Sequence, residues 1–311
     1  MRLKLFLLLL FTDVCLLHCQ LSDTLKQYSP KSFPLWSFLA PGGTYYYDGR
    51  IAEGMTFSAI EIGGIVIGLH YDNTLKSGST SPYYNYPLLL GLQAYSIDKC
   101  DWVRNKLELF KYKHPDFQYD PISEKDLFLA PFKTENIFTP VTLGMVVIAC
   151  LELWLEGRGA GKHIDQVRQM YFLDHYVGRN SGLAIFGTTS LAASWGAGVN
   201  EEYYIRNGLM PLLDYKYGQT KGLYYSSFAF GLLHLQNLLF ADKPDYGQAF
   251  AQVIEATIAG FILGSDVQNR GYQIGPAVAA HAWYDFTLML GSFLVDPANN
   301  TFAVQVKFNV Q

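Results

Sequence analysis

Apolar residues along the chain gather into segments of roughly helical length, separated by polar stretches and without a fixed-period repeat. Beyond the first residues they occupy 54–70, 84–98, 137–155, 180–199, 222–240, 247–265 and 275–294. Residues 180–200 contain no Asp, Glu, Lys or Arg, and neither do 222–241. Each is close to the ~20 residues that a helix needs to cross a bilayer. The other segments are shorter or bring an acid with them: Glu53 and Glu61 near the first, Glu152 near the third, Glu255 in the sixth and Asp285 in the last. A carboxylate at bilayer depth costs at least ~2.5 kcal/mol, so these acids are expected to face a bundle interior or a water-filled cavity. The pattern predicts an all-α fold, a polytopic transmembrane helical bundle with about seven membrane helices.

The flanking segments complete the map. Met1-Arg2-Leu3-Lys4 followed by Leu5 to Phe11 has the basic start and short apolar run of a secretory signal, and it is too short to span alone. Residues 1–20 are therefore read as a signal sequence or N-terminal anchor, and His18 stands before Cys19 where a lipoprotein box carries a small residue. Residues 21–135 form an N-terminal region with two membrane helices and a polar loop, 136–295 the main bundle, and 296–311 a short tail that alternates like one strand. Within the first of these, 99–135 carries Lys99, Arg104, Lys106, Lys111, Lys113 and three prolines, and reads as the longest extramembrane loop, with short amphipathic helices. Leu39 to Arg50 reads as a Gly/Pro turn whose glycines supply positive φ and whose tyrosines sit at a lipid interface.

Composition narrows the partners. The chain has 23 Lys+Arg against 27 Asp+Glu, a net charge of −4, which argues against nucleic acid or any other polyanion as a partner and leaves the lipid bilayer. Only 16% of residues are charged and 50% are hydrophobic, too much apolar surface for global disorder. A mean hydropathy of +0.09 is nonetheless low for helices that face lipid all round, so some must keep a polar inner face. Cys15 and Cys19 lie in the leader and only Cys100 and Cys150 remain, with no CxxC pair, which supports neither a disulfide framework nor a thiolate zinc site. His163, Asp165, Asp174 and His175 match no ligand spacing and read as a solvated face or loop. Asn299-Asn300-Thr301 is a glycosylation sequon only in a eukaryotic secretory pathway.

The last third of the chain holds ionisable groups on or beside apolar segments, which by default marks a functional site. Glu202 and Arg206 are four residues apart with the acid first, the favourable order for a helical ion pair. That pairing leaves Glu201 as the acid available for general-base work. Phe230 and His234 have the same spacing, which puts an aromatic ring beneath an imidazole, and His281 and Asp285 lie one turn apart on one face. Taken singly, each pair has a plainer reading. Glu201 and Glu202 after Asn200 suit a capped helix N-terminus, His234 suits helix packing, and His281 with Asp285 suits an interhelical hydrogen bond.

In this order the motifs Glu201-Glu202-x3-Arg206, Phe230-x3-His234 and His281-x3-Asp285 resemble those of the CPBP intramembrane proteases, the CAAX-protease and bacteriocin-immunity family. The resemblance covers roughly 190–292 and includes the Gly-punctuated stretch Ala259 to Gly264. It implies hydrolysis of a peptide bond in a membrane-associated or prenylated protein or peptide. Glu201 assisted by His234 would activate water, His281 with Asp285 behind it would stabilise the oxyanion, and Glu202, Arg206 and Phe230 would give structural support. Asp285 stands where Asn is the commoner family residue, and an ionised carboxylate cannot donate to an oxyanion. It must be protonated, orient His281 or bind a metal. Glu201, His234 and His281 would also make a carboxylate and two imidazoles for a divalent metal such as zinc, and the residues alone leave the metal-bound and metal-free versions open. Competing functions are a catalytically silent bundle serving as an immunity factor or scaffold, and an ion- or proton-coupled transporter. The leader and the family's habit point to a bacterial cytoplasmic membrane, with the endoplasmic reticulum second.

Overall fold

A computed structural model describes residues 32–75, 86–157, 164–172, 175–236, 246–297 and 305–308. The leader, the sequon, His163 and Asp174 lie outside them. Short helices α1 (Leu35–Leu39) and α2 (Gly43–Tyr47) lead into α3 (Ile51–Leu75) and α4 (Tyr86–Lys113). Three short turns follow, α5 (Glu124–Leu129), a 3-10 turn (Ala130–Phe132) and α6 (Thr134–Ile137), and then α7 (Pro140–Gly157). A hairpin of β1 (Val167–Phe172) and β2 (His175–Gly178) precedes α8 (Arg179–Glu202), a π-helical turn (Tyr203–Leu209), α9 (Met210–Tyr217) and α10 (Gln219–Leu233). The chain continues as a 3-10 turn (His234–Gln236), α11 (Tyr246–Asn269), α12 (Gly275–Val295) and β3 (Gln305–Phe308).

Among the described residues every predicted apolar segment carries a helix, and the fold is all-α apart from one small sheet. Three helices are long and apolar enough to cross a membrane among the described residues: Ile51–His70, Ala249–Asn269 and Gly275–Val295. Pro140–Leu155 is apolar but shorter. The charge-free segment 180–200 is absent from that set because freedom from charge is not hydrophobicity. Its helix is rich in Gly, Ser, Thr and Asn, and Ser190, Ser194 and Asn200 are buried against protein. Outward faces are apolar at four-residue spacing, as with Phe250, Ile254 and Ile258 on α11 and Val147 and Leu151 on α7, the surface a lipid-facing helix presents.

Two polar regions fold differently from expectation. The segment from Lys99 is not loop: α4 runs on to Lys113, with Trp102, Val103 and Leu107 buried in the core. Its charges do not end the helix because they are satisfied internally. Lys99 is buried, pairs with Asp98, and donates to the carbonyls of Ser37 at 3.3 Å and Ala40 at 2.7 Å. The stretch read as a solvated loop contains the β1–β2 hairpin, which β3 extends to an antiparallel order β2-β1-β3, so the tail does supply its one short strand.

The Gly/Pro turn uses positive φ at Gly42 (61°) and Gly49 (80°), as expected. Tyr45, however, is buried rather than interfacial, and its hydroxyl donates to Glu124 at 2.5 Å. Among the acids of the apolar segments, Glu61 is buried and accepts from the Gly42 N–H at 3.2 Å, and Glu152 accepts from the Tyr284 hydroxyl at 3.0 Å. Glu53 is exposed and pairs with Arg50 at 3.3 Å, while Glu255 is exposed within electrostatic reach of Glu152.

Helix α12 lies at the centre, packed between α7 and α8. Its inner face, Ala277 to Ala280 and Ala282, is small, which lets neighbouring backbones come close. Gly198 on α8 completes the approach: a Cβ there would sit 2.8 Å from the Val278 carbonyl oxygen and 2.9 Å from the Ala282 Cβ. One turn beyond Gly198 is Glu202, and beside Ala282 is His281.

Candidate active site

The three motif pairs converge where α8, α10 and α12 meet. Glu201 and Glu202 are the last residues of α8 before the π-helical turn Tyr203–Leu209, and the backbone stays right-handed helical at Tyr203 and at Met210, so they stand within a continuing helix and not at its start. That removes the capped N-terminus reading. Asn200 is inside the helix and its amide donates to the Gln93 carbonyl at 3.1 Å. π-turns are rare inside α-helices and occur often at functional sites, because they re-aim the side chains around them.

Glu202 is fully buried and divides its two oxygens between elements. Oε2 lies 3.2 Å from Arg206 Nε, the predicted ion pair, and Oε1 accepts from His281 Nδ1 at 2.7 Å, a bond the spacing did not reveal. Arg206 is also buried, and its guanidinium lies 4.2 Å from the centre of the Phe230 ring. Its two terminal nitrogens have no hydrogen-bond partner among the described residues, so Phe230 and Glu202 supply its compensation. Phe230 stands edge-on to both imidazoles, with centroids 4.9 Å from His234 and 5.9 Å from His281. It is the floor on which both rings rest.

The two imidazoles are held in the same sense. His234 begins the 3-10 turn after α10, and its Nδ1 lies 2.9 Å from the Phe230 carbonyl oxygen. A carbonyl only accepts, so Nδ1 carries the hydrogen and Nε2 points away with its lone pair. His281 likewise commits Nδ1, to Glu202, and turns Nε2 towards the cleft. Glu201 Oε2 faces both free ring edges, 4.0 Å from His234 Nε2 and 3.9 Å from His281 Nε2. Asp285 Oδ2 lies 3.4 Å from His281 Nε2. Glu201 is the most open of the group, with 36% of its side chain exposed against none of Glu202.

The separations of about 4 Å are too long for direct hydrogen bonds and suit a bridging water. They are wide for a shared metal: two ligand atoms ~2.0–2.1 Å from a tetrahedral zinc stand about 3.3 Å apart. Among the described residues no group of three or more His, Cys, Asp and Glu side chains is placed to hold one ion. Of the alternative cluster, Asp165 is exposed and its carbonyl accepts from Arg179 at 2.8 Å, while His163 and Asp174 lie outside the described residues.

Residues 184–287, one third of the chain, match the family described as Type II CAAX prenyl endopeptidase Rce1-like. The match spans all three motif pairs, so the resemblance drawn from them holds, and the segment is that of a CPBP-type peptidase. No curated protein and no solved structure shows significant similarity to the chain. The family match over residues 184–287 and the three apolar helices together point to an integral membrane protein.

Proposed function

We propose that the chain hydrolyses a peptide bond of a membrane-associated, prenylated CAAX-type protein or peptide, with Glu201 as the general base. The observation that carries this reading is the position of one carboxylate oxygen, Glu201 Oε2, 3.9 and 4.0 Å from two imidazole Nε2 atoms whose Nδ1 atoms are already engaged. A water in that gap gives one hydrogen to Glu201 and the other to the lone pair of His234 Nε2. Glu201 takes the proton as the water oxygen attacks the scissile carbonyl carbon. The carbonyl oxygen becomes an oxyanion and is stabilised by the N–H at Nε2 of His281 in its protonated form. The proton on Glu201 then passes to the leaving amine as the carbon–nitrogen bond breaks.

Glu202 and Arg206 hold the frame, and Glu202 orients His281 through Nδ1. Asp285 acts on His281 rather than on the substrate, since an ionised carboxylate 3.4 Å from Nε2 accepts but cannot donate. No step needs a metal. The substrate enters a bundle whose full set of membrane segments comprises α3, α4, α7, α8, α10, α11 and α12, in the bacterial cytoplasmic membrane that the leader suggests or in the endoplasmic reticulum.

The test is cleavage of farnesylated and unprenylated CAAX peptides by the purified full chain, with and without chelator. Cleavage of the farnesylated peptide that persists in chelator and disappears in Glu201→Gln and His234→Ala is expected. If both variants cleave like the wild type, the assignment is wrong. Loss of activity in chelator would replace the water-only mechanism by a metal-assisted one.

A further inference from the structure

The bond between Glu202 and His281 joins residues 79 apart in sequence on two helices that no turn connects directly. Helix-to-helix packing at Gly198 sets their distance. A segment outside the matched region pins both. In the loop after α4, the Asp120 N–H donates to Asn207 Oδ1 at 2.8 Å, and the Asn207 amide returns a bond to the Asp120 carbonyl at 2.9 Å. Asn207 is fully buried in the π-turn, the residue immediately after Arg206. The side chain of the same Asp120 accepts from the Ile274 N–H at 2.9 Å, at the head of α12. That helix has no side-chain cap of its own, since Ile274 occupies the cap position, so Asp120 supplies the acceptor at its N-terminal end from 154 residues away. Two indoles repeat the pattern further along the segment. Trp195 of α8 donates to the Phe128 carbonyl at 2.8 Å, and Trp283 of α12 donates to the Pro131 carbonyl at 2.7 Å.

We propose that Asp120 is a positioning residue for the site, and that with Asn207 it sets the axial register between the Glu201–Arg206 turn and the helix bearing His281 and Asp285. The proposal rests on the hydrolytic reading above. A displacement of about 1 Å between catalytic groups costs on the order of a hundredfold in rate, so a register clamp acts on turnover more than on substrate binding.

The experiment compares Asp120→Ala, Asp120→Asn and Asn207→Ala in the full chain, by steady-state cleavage of a farnesylated peptide and by backbone amide exchange. Asp120→Ala is expected to lower kcat about tenfold to a hundredfold with KM within about threefold. Its exchange should accelerate over residues 274–281 and not through the remaining helices. Asp120→Asn keeps an acceptor oxygen and should hold kcat within about threefold of wild type. Wild-type kcat in Asp120→Ala, equal damage from Asn and Ala, or faster exchange throughout the protein overturns the proposal. If Asp120→Ala does not fold, Asn207→Ala, which breaks the other half of the clamp, must show the same loss of kcat with local exchange in the π-turn. If the wild type cleaves no peptide, the hydrolytic reading falls, and the exchange pattern still decides whether the clamp exists.

Discussion

Glu202 accepts from His281 Nδ1 at 2.7 Å while its other oxygen stands 3.2 Å from Arg206, so one buried carboxylate orients an imidazole and neutralises a guanidinium. Its neighbour Glu201 is half exposed and faces the ring edges that Glu202 and the Phe230 carbonyl leave open. Two adjacent acids therefore have separable duties, and the predictions below use that separation.

Glu201→Gln should leave the melting temperature near that of the wild type and lower peptide cleavage by about a hundredfold or more, the usual scale of general-base loss. Glu202→Gln should do something different. It removes the compensating charge of a buried Arg206, a change that typically costs ~3–5 kcal/mol, so the variant is expected to lose both stability and activity. Thermal melts in detergent alongside cleavage assays separate the two. Equal stability of the two variants would contradict the division of roles.

Phe230→Leu takes away the ring face beneath Arg206 and the edge contacts to both imidazoles. The cation–π contribution alone is about 0.5–2 kcal/mol, and that is the stability loss expected. Activity should fall further than stability, because both histidines lose their floor. A stability loss with unchanged kcat would show that the ring only fills space.

Gly198→Ala introduces a methyl into the place where α8 and α12 touch, 2.8 Å from the Val278 carbonyl oxygen. Overpacking of this kind costs about 1–3 kcal/mol, and here it should also lengthen the Glu202–His281 bond by pushing the helices apart. Gly187→Ala on the same helix meets nothing within 4 Å and serves as the control, with activity near wild type. Cleavage rates and melts of the pair give the comparison.

Burial raises the carboxyl of Asp120 above the usual carboxylate range, although N–H groups of Ile274 and Ile122 pull the other way. The folded state therefore binds this proton more tightly than the unfolded chain does. Stability contributed by the protonated form is complete below the unfolded value, ~3.9, and is lost as pH rises through the raised folded value. Asp120→Asn lacks that titration. Its melting temperature relative to wild type should rise across this acidic window and then level off towards neutral pH. A difference that does not change with pH would rule out the burial argument.

Much of this protein is written in local sequence. Apolar runs of helical length set the long helices among the described residues, because desolvation of the backbone and side chains depends on neighbours within a few turns. Four-residue spacing likewise put Glu202 with Arg206, Phe230 with His234 and His281 with Asp285, since one helical turn brings such positions together. Even so, counting charges misjudged α4, where Asp98 and Lys99 are buried as a pair, and α8, which lacks charge without being strongly apolar. Spacing also could not show that Glu202 serves His281 as well as Arg206, that Glu201 stands within a continuing helix rather than at a start, or that Asp120 ties Asn207 to the head of α12. Those relations join residues 79, 87 and 154 positions apart. A helical period determines which residues share a face, while the choice of partner across the bundle waits on how closely the helices pack, and here that was decided by Gly198 and the small face of α12.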